Sequence, residues 1–221
     1  MAKSDKTNMN FVFETKNLCI GFDSRYPILN EINITLNKGD FACLLGSNGS
    51  GKSTFVRTVS GIIPKCCGDF TLADDIRISM VPQFKKMQLQ YPLTVKEVLL
   101  LSEKFTPFHK TNFTSEQEVM IEKMGIKPIL DLLVRECSGG QLQKVLIARS
   151  LLSKANLIFL DEPMDALDAE SKRVVTEILK TEIKERNKTI FIITHHIEKN
   201  WLSEFNRKFS VDGFHLKEMK K

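Results

Sequence analysis

Eight residues near the start of the chain have the types and order of a loop that binds phosphate groups. In this segment, Gly46 to Ser53 with the sequence GSNGSGKS, two glycines separated by four residues come directly before a lysine and a serine. Glycines let the backbone curl so that successive amide hydrogens point inward, and the start of a following helix adds partial positive charge. We expect Lys52 to reach the β- and γ-phosphates and the Ser53 hydroxyl to bind Mg²⁺. The segment therefore predicts that the chain binds the phosphates of MgATP.

Two carboxylates could supply the chemistry of hydrolysis. Asp161 and Glu162 directly follow an apolar run, LIFL, which is typical of a buried strand. We expect Asp161 to hold Mg²⁺ through water and Glu162 to orient or deprotonate the attacking water. Such a pair alone is more often a helix N-cap or part of an ion pair, so this prediction depends on the phosphate loop.

A histidine follows a second apolar run, KTIFIIT. His195 is expected at the same edge of the sheet, where ligands collect in open α/β folds and where an imidazole could sense a γ-phosphate. Without the other motifs, a surface histidine would be the better interpretation.

The elements that position these residues follow from the hydrophobic pattern. Short apolar runs bounded by turn residues predict strands in FVFETKNLCI, INITLNKGD, FACLL, IRISMVPQ, NLIFLDEP and KTIFIITHH. Leucine-rich periodic stretches predict helices in STFVRTVSGI, TVKEVLLLSEKF, SEQEVMIEKMG, GGQLQKVLIARSLLS and AESKRVVTEILKTEIKER. Apolar strands that alternate with helices indicate a parallel sheet covered on both faces, with the helical middle of the chain inserted between two halves of the α/β core.

Composition excludes several classes of protein. Hydrophobic residues make up 42% and charged residues 27% of the 221 residues, as in an ordinary globular protein. The apolar runs are far shorter than the roughly 18 residues that span a membrane, so the chain is not expected to form a pore itself. The net charge of +5 is spread along the chain, which favours a solvated surface over a nucleic-acid site.

The N-terminus and the cysteines predict a reducing compartment. The first ten residues, MAKSDKTNMN, lack the apolar stretch of a secretory signal, which predicts a cytoplasmic protein. Five cysteines are an odd number, and the adjacent Cys66 and Cys67 have no CxxC pair or clustered histidines nearby. We therefore expect reduced thiols and no zinc site.

The most specific motif is CSGGQ at residues 137–141, followed by the helical stretch LQKVLIARSLL. It resembles the signature motif of ABC-type ATPases, usually LSGGQ. The other motifs of that family follow one another at the familiar spacings: the Walker A loop, Gln83 as the Q-loop, the signature, Walker B at residues 157–161, Glu162, a D-loop ending at Asp168, and His195. The resemblance covers about residues 11 to 200.

The resemblance implies the fold and the reaction. It implies an α/β fold with a P-loop NTPase core, a mostly parallel sheet, an N-terminal antiparallel β part and an inserted helical subdomain. Residues 1–221 would form a single ABC ATPase domain, with a core subdomain of about 1–85 and 154–221 and a helical subdomain of about 86–153. Two such domains would pack head to tail, each ATP lying between the Walker A loop of one copy and the signature of the other. The implied activity is ATP hydrolysis with ATP and Mg²⁺.

The resemblance also assigns roles to single residues. The residues implied in catalysis are Lys52, Gln83, Glu162 and His195, and those implied as Mg²⁺ ligands are Ser53, Gln83 and Asp161. The residues implied in nucleotide binding are Phe22, Gly46, Ser47, Asn48, Gly49, Ser50, Gly51, Lys52, Ser53, Thr54, Ser138, Gly139, Gly140 and Gln141. Phe22 holds the position of the aromatic residue that stacks on adenine, and Tyr26 is the second candidate. Either aromatic side chain could instead belong to the core.

The family comparison further implies a transporter subunit. The partners would be an integral membrane permease, a second copy of the chain and, indirectly, a substrate-binding protein, with no nucleic acid. The location would be the cytoplasmic membrane face, where the chain binds peripherally through the permease. The segment YPLTVKEVLLL is similar to the FPLTV segment of manganese, zinc and iron importers. Haem, siderophore, amino-acid and lipid systems stay open, as does a soluble ABC ATPase of iron-sulfur assembly, translation or DNA repair. A phosphate-loop kinase or GTPase would not explain CSGGQ.

Some residues depart from the family pattern. Cys137 stands in place of the usual leucine, Met164 and Asp165 stand where threonine and serine are common, and His196 stands where aspartate often follows the histidine. These departures affect the edges of the predicted site and not its chemistry. The residues after His195 are interpreted as a short, charged tail.

Overall fold

The computed structural model describes residues 10–83, 92–101, 112–196 and 199–219. Within this part the chain divides into two compact units. The first unit comprises Met1–Ile76 and His195–Lys221, and the second comprises Arg77–Thr194. The predicted division into a core subdomain and a helical subdomain places its boundaries elsewhere, and it stays a prediction.

The first unit is built on a sheet that is antiparallel in its N-terminal part. Strand β1 (Phe11–Ile20) pairs antiparallel with β2 (Leu29–Ile32), with β3 (Thr35–Asn37) and with β5 (Cys67–Leu72). Next to β2 lie β10 (His215–Glu218), β9 (Arg207–Asp212) and β4 (Phe41–Leu45), in that order. The pairs β2–β10 and β9–β4 are parallel, and β9–β10 is an antiparallel hairpin.

The helices of the first unit are α1 (Lys52–Val59) and the short α6 (Lys199–Leu202). Helix α1 packs on the sheet through Phe55, whose ring meets that of Phe13 with centroids 6.3 Å apart. Both rings are fully buried. The phosphate loop therefore begins and ends on elements that are anchored in the core of this unit.

The C-terminal segment is part of the fold and not a charged tail, so that interpretation was wrong. Phe209 and Leu216 of the β9–β10 hairpin are buried. Arg207 pairs with Asp40 on one side and with Glu218 on the other. Alternation of apolar and charged residues over RKFSVDGFHLKE fits a half-buried hairpin, and the glycine of its turn is the sequence signal for it.

The cysteines also differ from the prediction, because Cys19 and Cys67 form a disulfide. They lie directly opposite each other in the β1–β5 ladder, with Cα atoms 4.8 Å apart. Antiparallel pairing of two distant segments brings the two side chains together, and nothing in the local sequence signals it. Among the described residues, Cys43, Cys66 and Cys137 are free thiols.

The second unit is a parallel sheet with helices. Strands β6 (Ile78–Val81), β7 (Leu157–Asp161) and β8 (Thr189–Thr194) pair in parallel in that order. Its helices are α2 (Val95–Leu100), α3 (Ser115–Lys123), α4 (Gly139–Leu152) and α5 (Ala169–Arg186), with 3₁₀ turns at Lys127–Ile129 and Val134–Glu136. Every residue of β7 and β8 is buried, as expected for parallel strands covered on both faces.

The helix starts of the second unit follow from capping residues. Thr94, Thr114 and Ser138 precede α2, α3 and α4, and each forms a capping box with a glutamate or glutamine three residues later.

Among the helices that the structure describes, none is long and apolar enough to span a bilayer. The α/β fold with a mostly parallel sheet, an antiparallel N-terminal part and an inserted group of helices is confirmed.

Candidate functional site

The phosphate loop connects the end of β4 to the start of α1 in the first unit. Gly49 and Gly51 have φ values of 80° and 96°, which residues with a side chain rarely adopt. A Cβ atom at Gly46 would lie 2.8 Å from Ser50 Oγ and 3.2 Å from Val211 Cβ. Glycines are therefore required both for the curl of the loop and for its close packing.

Lys52 is the first residue of α1, and its side chain turns back over the loop. Its ammonium group donates hydrogen bonds to the carbonyl oxygens of Gly46 and Ser47 at 2.6 and 2.8 Å. The residue is only 6% exposed. A buried cation is thus held at the centre of a loop whose next element, the N-terminus of α1, also favours negative charge. Ser53 and Thr54 follow in the first helical turn and are half-buried.

The hydroxyl group of Ser50 supports an anionic ligand at this place. Ser50 Oγ is buried and has no hydrogen-bond partner among the described residues. A buried donor without a partner is costly, and such a group in a native fold commonly marks a ligand contact. The remaining loop residues, Ser47, Asn48 and Gly49, are exposed and accessible to a ligand.

Both candidate aromatic residues for adenine lie in the β1–β2 connection of the same unit. Phe22 is 74% and Tyr26 is 77% exposed, so neither belongs to the core. The connection is ordered by local contacts: the Tyr26 amide donates to the Asp23 carbonyl, and Arg25 pairs with the Asp23 carboxylate at 2.8 Å. Hydrogen bonds from Arg25 hold the pKa of Asp23 below its usual value. An aromatic side chain that stays exposed on an ordered turn is available for stacking on a base.

In the second unit, the predicted carboxylates lie where the parallel strands end. Asp161 is the last residue of β7, and Glu162 follows it directly; both are buried. Gln83 comes two residues after the end of β6 and is half-buried. Because parallel strands end at the same edge of a sheet, this unit brings Gln83, Asp161 and Glu162 together there.

Glu162 has a strained backbone. Its φ of 51° lies in the left-handed region, and its amide donates to the Ile193 carbonyl of β8 at 2.9 Å. A non-glycine residue in this region costs about 1–3 kcal/mol and occurs most often at functional positions. Because this conformation differs from that of an extended strand, the chain turns at Glu162, directly after β7.

The signature segment forms the N-terminus of α4. Ser138 is the N-cap: its hydroxyl accepts from the Gln141 amide at 3.2 Å, and the Gln141 side chain accepts from the Ser138 amide at 2.8 Å. Ser138 is exposed, although it caps the helix. The helix start thus presents a hydroxyl and the amide groups of Gly139 and Gly140, the donor set expected for an anion.

Gly140 explains why the motif contains a glycine at this position. A Cβ atom there would lie 2.8 Å from the carbonyl oxygen of Ala166 in the predicted D-loop. The signature and the D-loop are therefore in backbone contact, which the sequence did not reveal. Asp168, at the end of the D-loop, caps α5, and the hydrogen bond from the Ser171 amide lowers the pKa of its carboxyl group.

The atypical residues of the motifs differ in their burial. Cys137 is half-buried, and burial, together with the nearby Glu136, raises the pKa of its thiol, so it behaves as a small apolar residue. His195 and His196 follow β8 and are exposed. Met164 is buried and Asp165 is exposed. The segment that resembles FPLTV lies partly outside the described residues; its part from Pro92 onward forms the capped start of α2.

Comparisons with known proteins identify the family of the chain. The family model described as "ABC transporter" matches residues 29–165. The chain is 35% identical over 205 residues to the zinc import ATP-binding protein ZnuC of Wolbachia sp. subsp. Brugia malayi (strain TRS), a match that covers 88% of this chain and 82% of the relative. It is 27% identical over 198 residues to the manganese transport system ATP-binding protein MntB of Bacillus subtilis (strain 168), covering 85% and 78%.

Solved structures show the same fold. A metal-chelate type ABC transporter in an inward-facing conformation superposes with a TM-score of 0.78 at 26% identity, covering 96% of this chain and 84% of that one. An ATP-binding cassette in its ADP conformation gives a TM-score of 0.72 at 22% identity, covering 96% and 92%.

Proposed function

We propose that this chain, which belongs to the ABC transporter family as an ATP-hydrolysing subunit, hydrolyses ATP to power the uptake of a transition-metal ion through a separate membrane permease. The observation that carries the proposal is the 35% identity to a zinc import ATP-binding protein over most of both chains. The similarity to a manganese transport ATP-binding protein supports the same class of cargo, a divalent ion of the manganese, zinc and iron group.

The phosphate loop binds the triphosphate in this proposal. Lys52 exchanges the carbonyl oxygens of Gly46 and Ser47 for phosphate oxygens, and the Ser50 hydroxyl gains an acceptor. Both changes favour the bound state, because a cation and a buried donor gain anionic partners. Phe22 stacks on the adenine, with Tyr26 as the second candidate.

The residues proposed to hold Mg²⁺ offer oxygen ligands only. Ser53 supplies a hydroxyl, Gln83 an amide oxygen and Asp161 a carboxylate, and hard oxygen donors are the set that Mg²⁺ prefers. When bound, Mg²⁺ would neutralise the charge on the β- and γ-phosphate oxygens.

Glu162 is the proposed general base. Its carboxylate accepts a proton from the attacking water while the buried surroundings strengthen that contact. His195 is proposed to contact the γ-phosphate. The position of the chain after β8 would then depend on whether the γ-phosphate is present. We propose that a second copy of the chain faces this nucleotide site, so that its Ser138, Gly139 and Gly140 donate to the same γ-phosphate.

A purification from native membranes tests the transport proposal. The tagged chain is isolated from detergent-solubilised membranes of its own cells, and the expected result is a stoichiometric integral membrane protein that co-purifies. Uptake of radioactive Mn²⁺ and Zn²⁺ is measured in the same cells with the chain deleted, restored, or replaced by Lys52→Ala.

The variant serves as the control for assembly. Lys52→Ala is expected to retain the membrane partner and to abolish uptake, because the lysine binds phosphate and not the permease. Recovery of the chain without any membrane protein, together with unchanged metal uptake in the deletion strain, would reject the proposal in favour of a non-transport ABC ATPase.

A further inference from the structure

The topology of the first unit brings three connections to one edge of its sheet. Strand β1 ends where the antiparallel β2 begins, so the β1–β2 connection with its two exposed aromatic residues lies at this edge. Strand β10 runs parallel to β2, and β9 runs parallel to β4. The turn between β9 and β10 and the phosphate loop after β4 therefore lie at this edge too.

The strand order decides which connection lies in the middle. Because the order is β1, β2, β10, β9, β4, the β9–β10 turn lies between the β1–β2 connection and the phosphate loop. A nucleotide that binds its phosphates in the loop and its base on Phe22 or Tyr26 would lie at the same edge of the sheet as this turn. The turn is Gly213–Phe214.

Close contacts on both sides fix the position of the turn. Val211, near the end of β9, lies beside Gly46 at the start of the phosphate loop, because its Cβ atom is 3.2 Å from the point that a Cβ atom on Gly46 would occupy. On the other side, the Asn30 amide of β2 donates to the Phe214 carbonyl at 2.9 Å. The neighbouring Leu29 packs against Gly51, at the end of the same loop.

Phe214 is an unusual residue for such a turn. Gly213 has a φ of 57°, as expected at the first position of a type II′ turn, where glycine is favoured. The second position commonly has a polar residue, yet here a phenylalanine is 65% exposed. Its ring contributes little to the core, so core packing does not explain why a phenylalanine occupies this position.

We infer that Phe214 is a nucleoside-binding residue, whose ring contacts the base or ribose of ATP from the side opposite to the β1–β2 connection. Aromatic side chains bind bases through stacking that depends little on base identity. The inference rests on the nucleotide binding in the proposed function, but not on the transported substrate or on the permease.

Calorimetric titration of the full chain with ADP and with pyrophosphate tests the inference. Loss of the ring in Phe214→Ala is expected to weaken ADP binding about 5- to 150-fold, the range for removal of one stacking contact. Pyrophosphate binding is expected to stay unchanged, because the variant leaves the phosphate loop intact. Phe214→Tyr, which keeps the ring, should retain the ADP affinity of the unmodified chain.

Ile62→Ala is the matched control. Ile62 is 64% exposed and follows the C-terminal end of α1, away from the phosphate loop, which precedes this helix. This variant is expected to bind ADP normally, and thermal unfolding of both alanine variants should match that of the unmodified chain.

Three outcomes would overturn the inference. Unchanged ADP affinity in Phe214→Ala would show that the ring makes no contact, and an equal loss for ADP and pyrophosphate would show a displaced phosphate loop instead. A chain that does not bind ADP at all would overturn this inference and the proposed function together. Ring-dependent ADP binding by a chain that lacks a membrane partner would leave the inference intact and reject the transport proposal alone.

Discussion

Glu162 shows how the chemistry of a single residue depends on its backbone. Its positive φ follows a fully buried strand, and its amide is held by the carbonyl of Ile193 on the neighbouring strand. The strand end thus places two consecutive buried carboxylates at one edge of the sheet. Separate roles for Asp161, as a metal ligand, and Glu162, as a base, are a physically reasonable use of that arrangement.

Replacement of Glu162 by glutamine is expected to lower ATP turnover by at least about 100-fold, because the amide cannot accept the proton of the attacking water. The substitution keeps the volume and the strained backbone, so ADP affinity should not change. Phosphate release under saturating ATP measures the turnover.

Glu182→Gln is the control for this variant. Glu182 is also buried, and burial raises the pKa of its carboxyl group, but it lies within α5 and has no proposed role in hydrolysis. Its replacement should leave turnover within about twofold, because Glu182 lies toward the C-terminal end of α5 and pairs with Arg186. Undiminished turnover in Glu162→Gln would exclude this residue as the base.

At the scale of elements, the helix N-termini carry both stability and proposed function. Ser138 and Thr114 form capping boxes of the same design, at the starts of α4 and α3. Of these two residues, only Ser138 belongs to the signature motif, in which Gly140 is in backbone contact with Ala166. Because the two caps have the same design, comparing them separates the contribution of a cap to stability from its contribution to the proposed function.

Ser138→Ala and Thr114→Ala are each expected to destabilise the fold by about 1 kcal/mol through the loss of a cap. Only Ser138→Ala should also lower ATP turnover, by about tenfold, since it removes a hydrogen bond to a charged phosphate group. Chemical unfolding and phosphate release are measured on both variants. Equal turnover in the two variants would show that the Ser138 hydroxyl serves the helix alone.

At the scale of the whole molecule, the family resemblance predicts a pocket shared between two copies. The donors at the start of α4 and the phosphate loop belong to different units of the chain, each with its own anion-binding geometry. In the head-to-tail dimer that we propose, the signature of one copy would serve the nucleotide of the other. In this proposal the γ-phosphate holds the two copies together, and hydrolysis releases them.

The Glu162→Gln chain is accordingly expected to have the monomer mass of 25.2 kDa with ADP and twice that mass with ATP. Sedimentation velocity measures both states. Adding Ser138→Arg to the variant should keep it monomeric with ATP, because a bulky side chain blocks the helix start. A monomer that hydrolyses ATP at the full rate would contradict the shared pocket.

The sequence by itself determined the motifs and the fold class. The phosphate loop, the carboxylates after an apolar strand and the CSGGQ helix start are short local patterns, and their spacing led to the family that the comparisons confirmed. Local chemistry sufficed for these features, because a glycine turn, a helix cap and a strand end each depend on only a few neighbouring residues.

Only the tertiary structure decided which distant segments are neighbours. The pairing of Cys19 with Cys67, the contact of Gly140 with Ala166 and the packing of Val211 beside Gly46 all depend on strand order or on long-range packing. The residues after His195 contain the local signal of a hairpin, but the hairpin acquires its buried face only when β2 and β4 lie beside it. The physical reason is that pairing between strands is set by burial across the whole sheet, which no local window of the sequence contains.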